Sequence, residues 1–151
     1  MERAITGFHA DDHGDWVAEL ACLHGQHVRH QPPFREAPWV HEELGRRDRI
    51  GASLDCPLCD RAELPEGLRV VRTTPTWDDG NMPAGLRQTH RVAEGVWGRL
   101  VVESGALHFE AETHPRIDRV ISQGQSQALP PDVDHHIEPV GAVRFHLEFL
   151  Q

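Results

Sequence analysis

Hydrophobic and polar positions follow two different patterns along this chain, and the change comes near residue 62. Beyond it, apolar and polar residues alternate in short runs, the period-2 signature of half-buried strands. Residues 68–73 open the series. Residues 98–102 and 106–111, joined by Glu103-Ser104-Gly105, read as a β-hairpin. Residues 119–121 and 136–139 follow, with the Pro130-Pro131 turn between them. In the last run, residues 142–149, the residues Val143, Phe145, Leu147 and Phe149 share one face. No helical run of usable length interrupts these segments. Short strands at regular spacing with Gly and Pro turns predict a sandwich or barrel of jelly-roll type.

The first part of the chain reads differently. Residues 6–9 and 15–20 look like two strands of a hairpin around Asp11-Asp12-His13-Gly14, and residues 40–50 predict one short helix. Apolar residues here are too few for a self-sufficient core, and a module of roughly 60 residues with so thin a core needs a staple. Leu64-Pro65-Glu66-Gly67 marks the entry to a new domain. The expected organisation is two domains, 1–61 and 62–151, in a mainly β protein.

Composition narrows the function. The formal charge is −9 and the chain has no Lys, with its Arg residues scattered. Neutralising nucleic-acid phosphates needs clustered cations, so nucleic acid is not an expected partner. The run Arg46-Arg47-Asp48-Arg49 is too short and too mixed in sign to change that, and reads as a solvated helix end. No apolar run is long enough to span a membrane, and the first residues show no signal-peptide core. A soluble, cytoplasmic protein without a membrane partner is expected. No Gly-x-Ser-x-Gly elbow, phosphate loop or Cys nucleophile with a base motif is found, so no residue is assigned a catalytic role.

The candidate chemistry is metal binding. There are 12 His residues and 3 Cys, all three Cys within the first 60 positions. An odd Cys count without export signals suits a metal framework better than a disulfide one. Cys22-Leu23-His24 and Cys56-Pro57-Leu58-Cys59 offer a Cys-x-His pair and a Cys-x-x-Cys turn, a four-coordinate sulfur and imidazole set suited to structural Zn²⁺. Such an ion would also explain how the core-poor module folds. His27 and His30 are rivals of His24 for the imidazole corner. A redox Cys-x-x-Cys pair is the alternative, but no βαβ context accompanies it.

Ile5-Thr6-Gly7-Phe8-His9, Trp16-Val17-Ala18-Glu19-Leu20, the stretch from His24 to Pro33 and Cys56-x-x-Cys59 resemble a family of small uncharacterised bacterial Cys/His zinc-knuckle domains. That family typically has Cys-Gly-His where this chain has Cys22-Leu23-His24. The rest of the chain resembles the cupin-like domain of the TehB/YeaR type, found alone or at the N-terminus of tellurite-resistance methyltransferases. The matching residues include Thr74-Pro75, Met82-Pro83-Ala84-Gly85-Leu86, His90, Gly95-Val96-Trp97-Gly98, Pro130-Pro131-Asp132-Val133-Asp134-His135 and Ile137-Glu138-Pro139. This resemblance implies a cupin-type jelly-roll β-barrel and a link to tellurite, oxidative or nitrosative stress. Methyl transfer is not expected, because no Gly-rich strand-to-helix loop for a nucleotide cofactor is present.

Cupins hold a metal with a His-x-His pair and a Glu on one hairpin plus a later His. Here the His-x-His is missing, the later His is matched by His135, and the remaining candidate ligands are His90 and Glu148. Adjacent strand residues face opposite sides, so only one of His135 and His136 can point inward, and the resemblance favours His135, one residue beyond the Pro-containing turn where cupins place their ligand. Glu148 shares a polar face with Arg144 and His146. Two imidazoles and a carboxylate with open positions suit Zn²⁺, Fe²⁺, Mn²⁺ or Ni²⁺. His9, His13, His41, His108, His114 and His146 have no ligand-spaced partner in the sequence. Two functions compete: a metal-dependent small-molecule enzyme or sensor, and a non-catalytic adaptor in which the barrel is a scaffold. By analogy with cupins a homodimer paired through sheet edges is expected.

Overall fold

In the computed structural model, which describes residues 1–29 and 36–151, the chain divides between Cys56 and Pro57 into units Met1–Cys56 and Pro57–Gln151. Strands β1 (Glu2–Ala10) and β2 (Trp16–Leu20) of the first unit form an antiparallel hairpin. Its turn is locked by Asp11, whose Oδ1 accepts hydrogen bonds from the backbone N–H groups of His13 and Asp15, each at 2.9 Å. Strand β3 (Gly25–His27) pairs with β2, and β4 (Ser53–Asp55) with the other edge of β1, so the order is β3-β2-β1-β4. Ile5, Val17, Ala18, Leu20, Val40, Cys22 and Cys56 are among the buried residues of this unit.

The single helix expected over residues 40–50 is broken in two. A 3-10 turn spans Pro38–His41 and helix α1 spans Glu43–Arg47, with Glu42 in extended conformation between them. The reason is an absent apolar stripe: α1 buries no residue, and Leu44 and Ile50 are exposed. The Arg cluster has a structural use. Arg46 lies over the Trp16 ring at 3.8 Å and Arg49 over the Trp39 ring at 4.9 Å.

The second unit opens with helix α2 (Pro57–Asp60) and then builds two antiparallel sheets. Its strands are β5 (Val70–Thr73), β6 (Trp77–Asp78), β7 (Trp97–Ser104), β8 (Ala106–Ala111), β9 (Ile117–Ser122), β10 (Ser126–Leu129), β11 (His135–Pro139) and β12 (Arg144–Leu150). One sheet has the order β10-β7-β12-β5, with β6 also on β12; the other is β11-β8-β9. The chain is mainly β, as its alternation predicts. Trp97, Leu100, Val102 and Phe145 from the first sheet and Leu107, Phe109 and Ile121 from the second are at most 1% exposed, and they make the core.

Two sequence expectations are corrected here. The segments around Glu103-Ser104-Gly105 are strands, but they are not a hairpin: β7 pairs with β10 and β12, while β8 pairs with β9 and β11. Gly105 therefore carries the chain from one sheet to the other. Its φ is +73°, and a Cβ there would lie 2.1 Å from the Ala142 carbonyl oxygen. The last strand also departs from clean alternation. A register shift between Phe149 and Leu150 buries Leu150 and turns Phe149 under the Arg72 guanidinium, 4.2 Å above its ring.

Because position 105 combines a left-handed backbone with a backbone clash, Gly105→Ala should destabilise the second unit by more than about 2 kcal/mol. Chemical denaturation followed by Trp fluorescence checks this. A loss below about 0.5 kcal/mol would show that the crossing tolerates a side chain.

Candidate functional site

The turn between β2 and β3 presents Cys22 and His24 on either side of Leu23, whose φ is +69°. A β-carbon in this conformation is strained, and Leu23 sits where the related domains place Gly. The turn is held by bonds from the Leu23 N–H to the Leu20 carbonyl at 2.8 Å and from the Leu20 N–H to the His24 carbonyl at 2.9 Å. Cys56 is anchored by its N–H to the Met1 carbonyl at 2.8 Å, and α2 carries Cys59 one turn further on. The four side chains are buried, and their ligand atoms all lie within 4.8 Å of one another.

The separations fit a tetrahedron. Cys22 Sγ is 3.8 Å from Cys56 Sγ, and His24 Nδ1 is 3.5 Å from Cys22 Sγ and 3.4 Å from Cys56 Sγ. Ligands around a tetrahedral zinc, with Zn–S near 2.3 Å and Zn–N near 2.1 Å, stand about 3.8 Å (S to S) and about 3.6 Å (S to N) apart. No disulfide joins Cys22 to Cys56, so the contact is one between separate sulfurs. Burial pushes the His24 imidazole towards neutrality, but hydrogen bonds with Cys22 and Cys56 outweigh it and raise its pKa to about 9. The pocket favours a positive charge, the electrostatic condition for holding a cation. His27 is engaged elsewhere, its Nε2 2.9 Å from Asp11 Oδ2. His30, the other rival, lies outside the described residues.

In the second unit, His90 and His135 form an isolated antiparallel bridge, each N–H bonded to the other's carbonyl at 3.0 Å. Their rings meet with centroids 4.3 Å apart. His135 is 3% exposed, whereas His136 reaches outward to within 3.8 Å of Glu110. Burial, the largest influence, pushes the His135 pKa down to about 4, and the neighbouring His90 adds to the effect. Arg91 clamps the bridge from outside by binding Asp132 and Asp134.

Glu148 does not join them, which corrects the expected three-ligand set. Its carboxylate pairs with Arg99 Nε at 2.5 Å across the β12–β7 pairing and lies 3.8 Å from His146 Nε2. His146 is itself bonded to Glu103 at 2.7 Å. The reason is register: β12 belongs to one sheet, and β11, which carries His135, to the other. The polar face shared by His146 and Glu148 is thus an ion-pair ladder. His108, read from the sequence as lacking a ligand-spaced partner, has two: with Glu110 and Asp118 it forms a half-exposed cluster, its Nε2 2.7 Å from Asp118. Asp118 comes from the neighbouring strand, so only the pairing reveals it; the alternating His108-x-Glu110 was the available signal.

Two family models match separate stretches of the chain. Residues 72–147 match the family model described as TehB-like domain. The chain belongs to the TehB-like family. Its N-terminal region, residues 6–63, matches a second model, described as protein of unknown function DUF3565. The TehB-like chain is 29% identical over 97 residues to the uncharacterized protein YeaR of Escherichia coli K12, covering 58% of this chain and 82% of YeaR; the O157:H7 counterpart gives the same figures. A crystal structure of an Escherichia coli K12 protein is similar with TM-score 0.53 and 26% identity, over 59% of this chain and 87% of that one. The crystal structure of TehB from Haemophilus influenzae aligns with TM-score 0.51 at 22% identity, over 56% of this chain and 32% of that one, a likeness of fold alone.

The lowered pKa of His135 has a consequence for stability. The unfolded chain binds a proton near pH 6.5 that the folded chain refuses until about pH 4, so stability falls as pH drops through that window. The metal-free protein should lose up to about 3 kcal/mol between pH 7 and pH 4 from this group. His135→Gln should flatten that part of the profile in urea titrations at several pH values; an unchanged slope would remove His135 as the cause.

Proposed function

We propose that this chain is a metal-binding, cupin-like protein of the tellurite-resistance type. In this reading Zn²⁺ bound by Cys22, His24, Cys56 and Cys59 staples a zinc-knuckle domain, and a jelly-roll domain binds a small molecule. The observation that carries it is the set of four buried donors within 4.8 Å of one another, three of them at tetrahedral separations. Structural zinc supplies folding free energy that so small a core lacks. Thiolates that serve as zinc ligands suit a reducing, cytoplasmic setting. A role in tellurite, oxidative or nitrosative stress rests on the family match.

The adaptor reading draws support from a different feature. Strand β5 is a sheet edge and leaves Val70 and Val71 43% and 58% exposed, a surface suited to a protein partner or to a second copy of the chain. The homodimer expected from the sequence would use the same edge.

Metal analysis of protein purified without chelator should find one tightly held zinc per chain. Cys56→Ser should lose it and unfold residues 1–56, seen as proteolytic clipping there, while the strands of the second unit stay folded. A tight zinc retained in Cys56→Ser would overturn the assignment.

A further inference from the structure

His135 presents an anomaly that the zinc staple does not touch. Its Nε2 is buried and makes no hydrogen bond. Leaving a buried polar atom unpaired costs about 1–3 kcal/mol, so an orphan of this kind calls for a missing partner. The rest of the ring is arranged around that atom. Its Nδ1 donates to the Val133 carbonyl, two residues back, at 2.9 Å, which fixes the tautomer with the lone pair on Nε2. His90 repeats the arrangement, its Nδ1 bonded to the Gln88 carbonyl at 2.8 Å. Imidazoles that bind metals through Nε2 characteristically donate the other N–H to a backbone carbonyl or carboxylate in this way.

The two rings are also spaced as neighbouring ligands. Two imidazoles bound at about 2.1 Å with an angle near 90° hold their centroids about 4.6 Å apart, whereas opposite ligands would stand about 6.5 Å apart. The observed distance is 4.3 Å. The backbone bridge between the two residues fixes this spacing before any ion arrives. No carboxylate is part of the donor set: Glu148 is held by Arg99, and Asp132 and Asp134 are held by Arg91.

We propose that His90 and His135 form a two-imidazole site for a divalent first-row transition ion, with the remaining coordination positions filled by a small anionic ligand from solution. Two neutral nitrogens leave the ion's charge unbalanced, which is why an anion completes the site. This rests on reading the second unit as a small-molecule binder, but not on the zinc staple.

The test uses full-length protein with its tight zinc in place, titrated with Co²⁺ and followed by visible absorption and equilibrium dialysis. The wild type should take up one labile Co²⁺ per chain, and added acetate or oxalate should tighten binding. His135→Gln and His90→Gln should each weaken uptake at least tenfold without changing zinc content, and Glu148→Gln should bind as the wild type does. Melting curves at saturating Co²⁺ supply a second reading, since a ligand that binds only the folded state raises Tm in the wild type and not in the His variants. The proposal is overturned if the wild type binds no labile Co²⁺, if folded His135→Gln binds it unchanged, or if Glu148→Gln abolishes it. Loss of tight zinc in Cys56→Ser with labile Co²⁺ retained would separate this site from the staple.

Discussion

The second unit depends on one constraint: after β7 the chain must leave its sheet and start β8 in the other within a single residue. Gly105 does this with a left-handed backbone pressed against the Ala142 carbonyl. Everything the two sheets bury together follows from that crossing. Alternate residues of β7 and of β8 then point into one core, where Leu100 and Val102 meet the same interior as Leu107 and Phe109. A hairpin at the same place would have put both strands in one sheet and left the other without its central member.

This is also where the sequence stops being sufficient. Period-2 alternation marks a strand, and residues 98–102 and 106–111 are strands as it predicts, although Glu103 and Ser104 extend the first one into the expected turn. It carries no information about which strand lies alongside. A Gly after two polar residues is equally consistent with a hairpin turn and with a crossing between sheets. The same blindness displaced Glu148: its face on β12 was legible, but its neighbour Arg99 was not, and the cross-strand ion pair fixes where the carboxylate goes. The histidines show the converse. Alternation together with the preceding Pro turn favours His135 over His136, and the His135 ring is the buried one.

The first unit was easier to read because its chemistry is local. Cys-x-His and Cys-x-x-Cys bring their donors together in pairs through short turns, so only one long-range contact was left to infer. The sequence could not say how the turn accepts Leu23 where related domains have Gly. The structure answers with a strained left-handed Leu, held by hydrogen bonds on both sides. The helix expected over residues 40–50 shortens for a complementary reason, since helix-forming residues without a buried stripe have nothing to pack against.

The pairing of β5 with β12 brings together the first and last strands of the second unit, and backbone bonds between Arg69 and Gln151 at 2.8 and 3.0 Å tie the flanking residues. The first and last strands of this fold are therefore neighbours in one sheet. A unit whose ends lie side by side can be spliced before, after or within another protein with little disturbance to its interior. That portability makes a β-fold of this kind a ready partner for gene fusion, and the join to a region matching a second family in this chain is one way of using it.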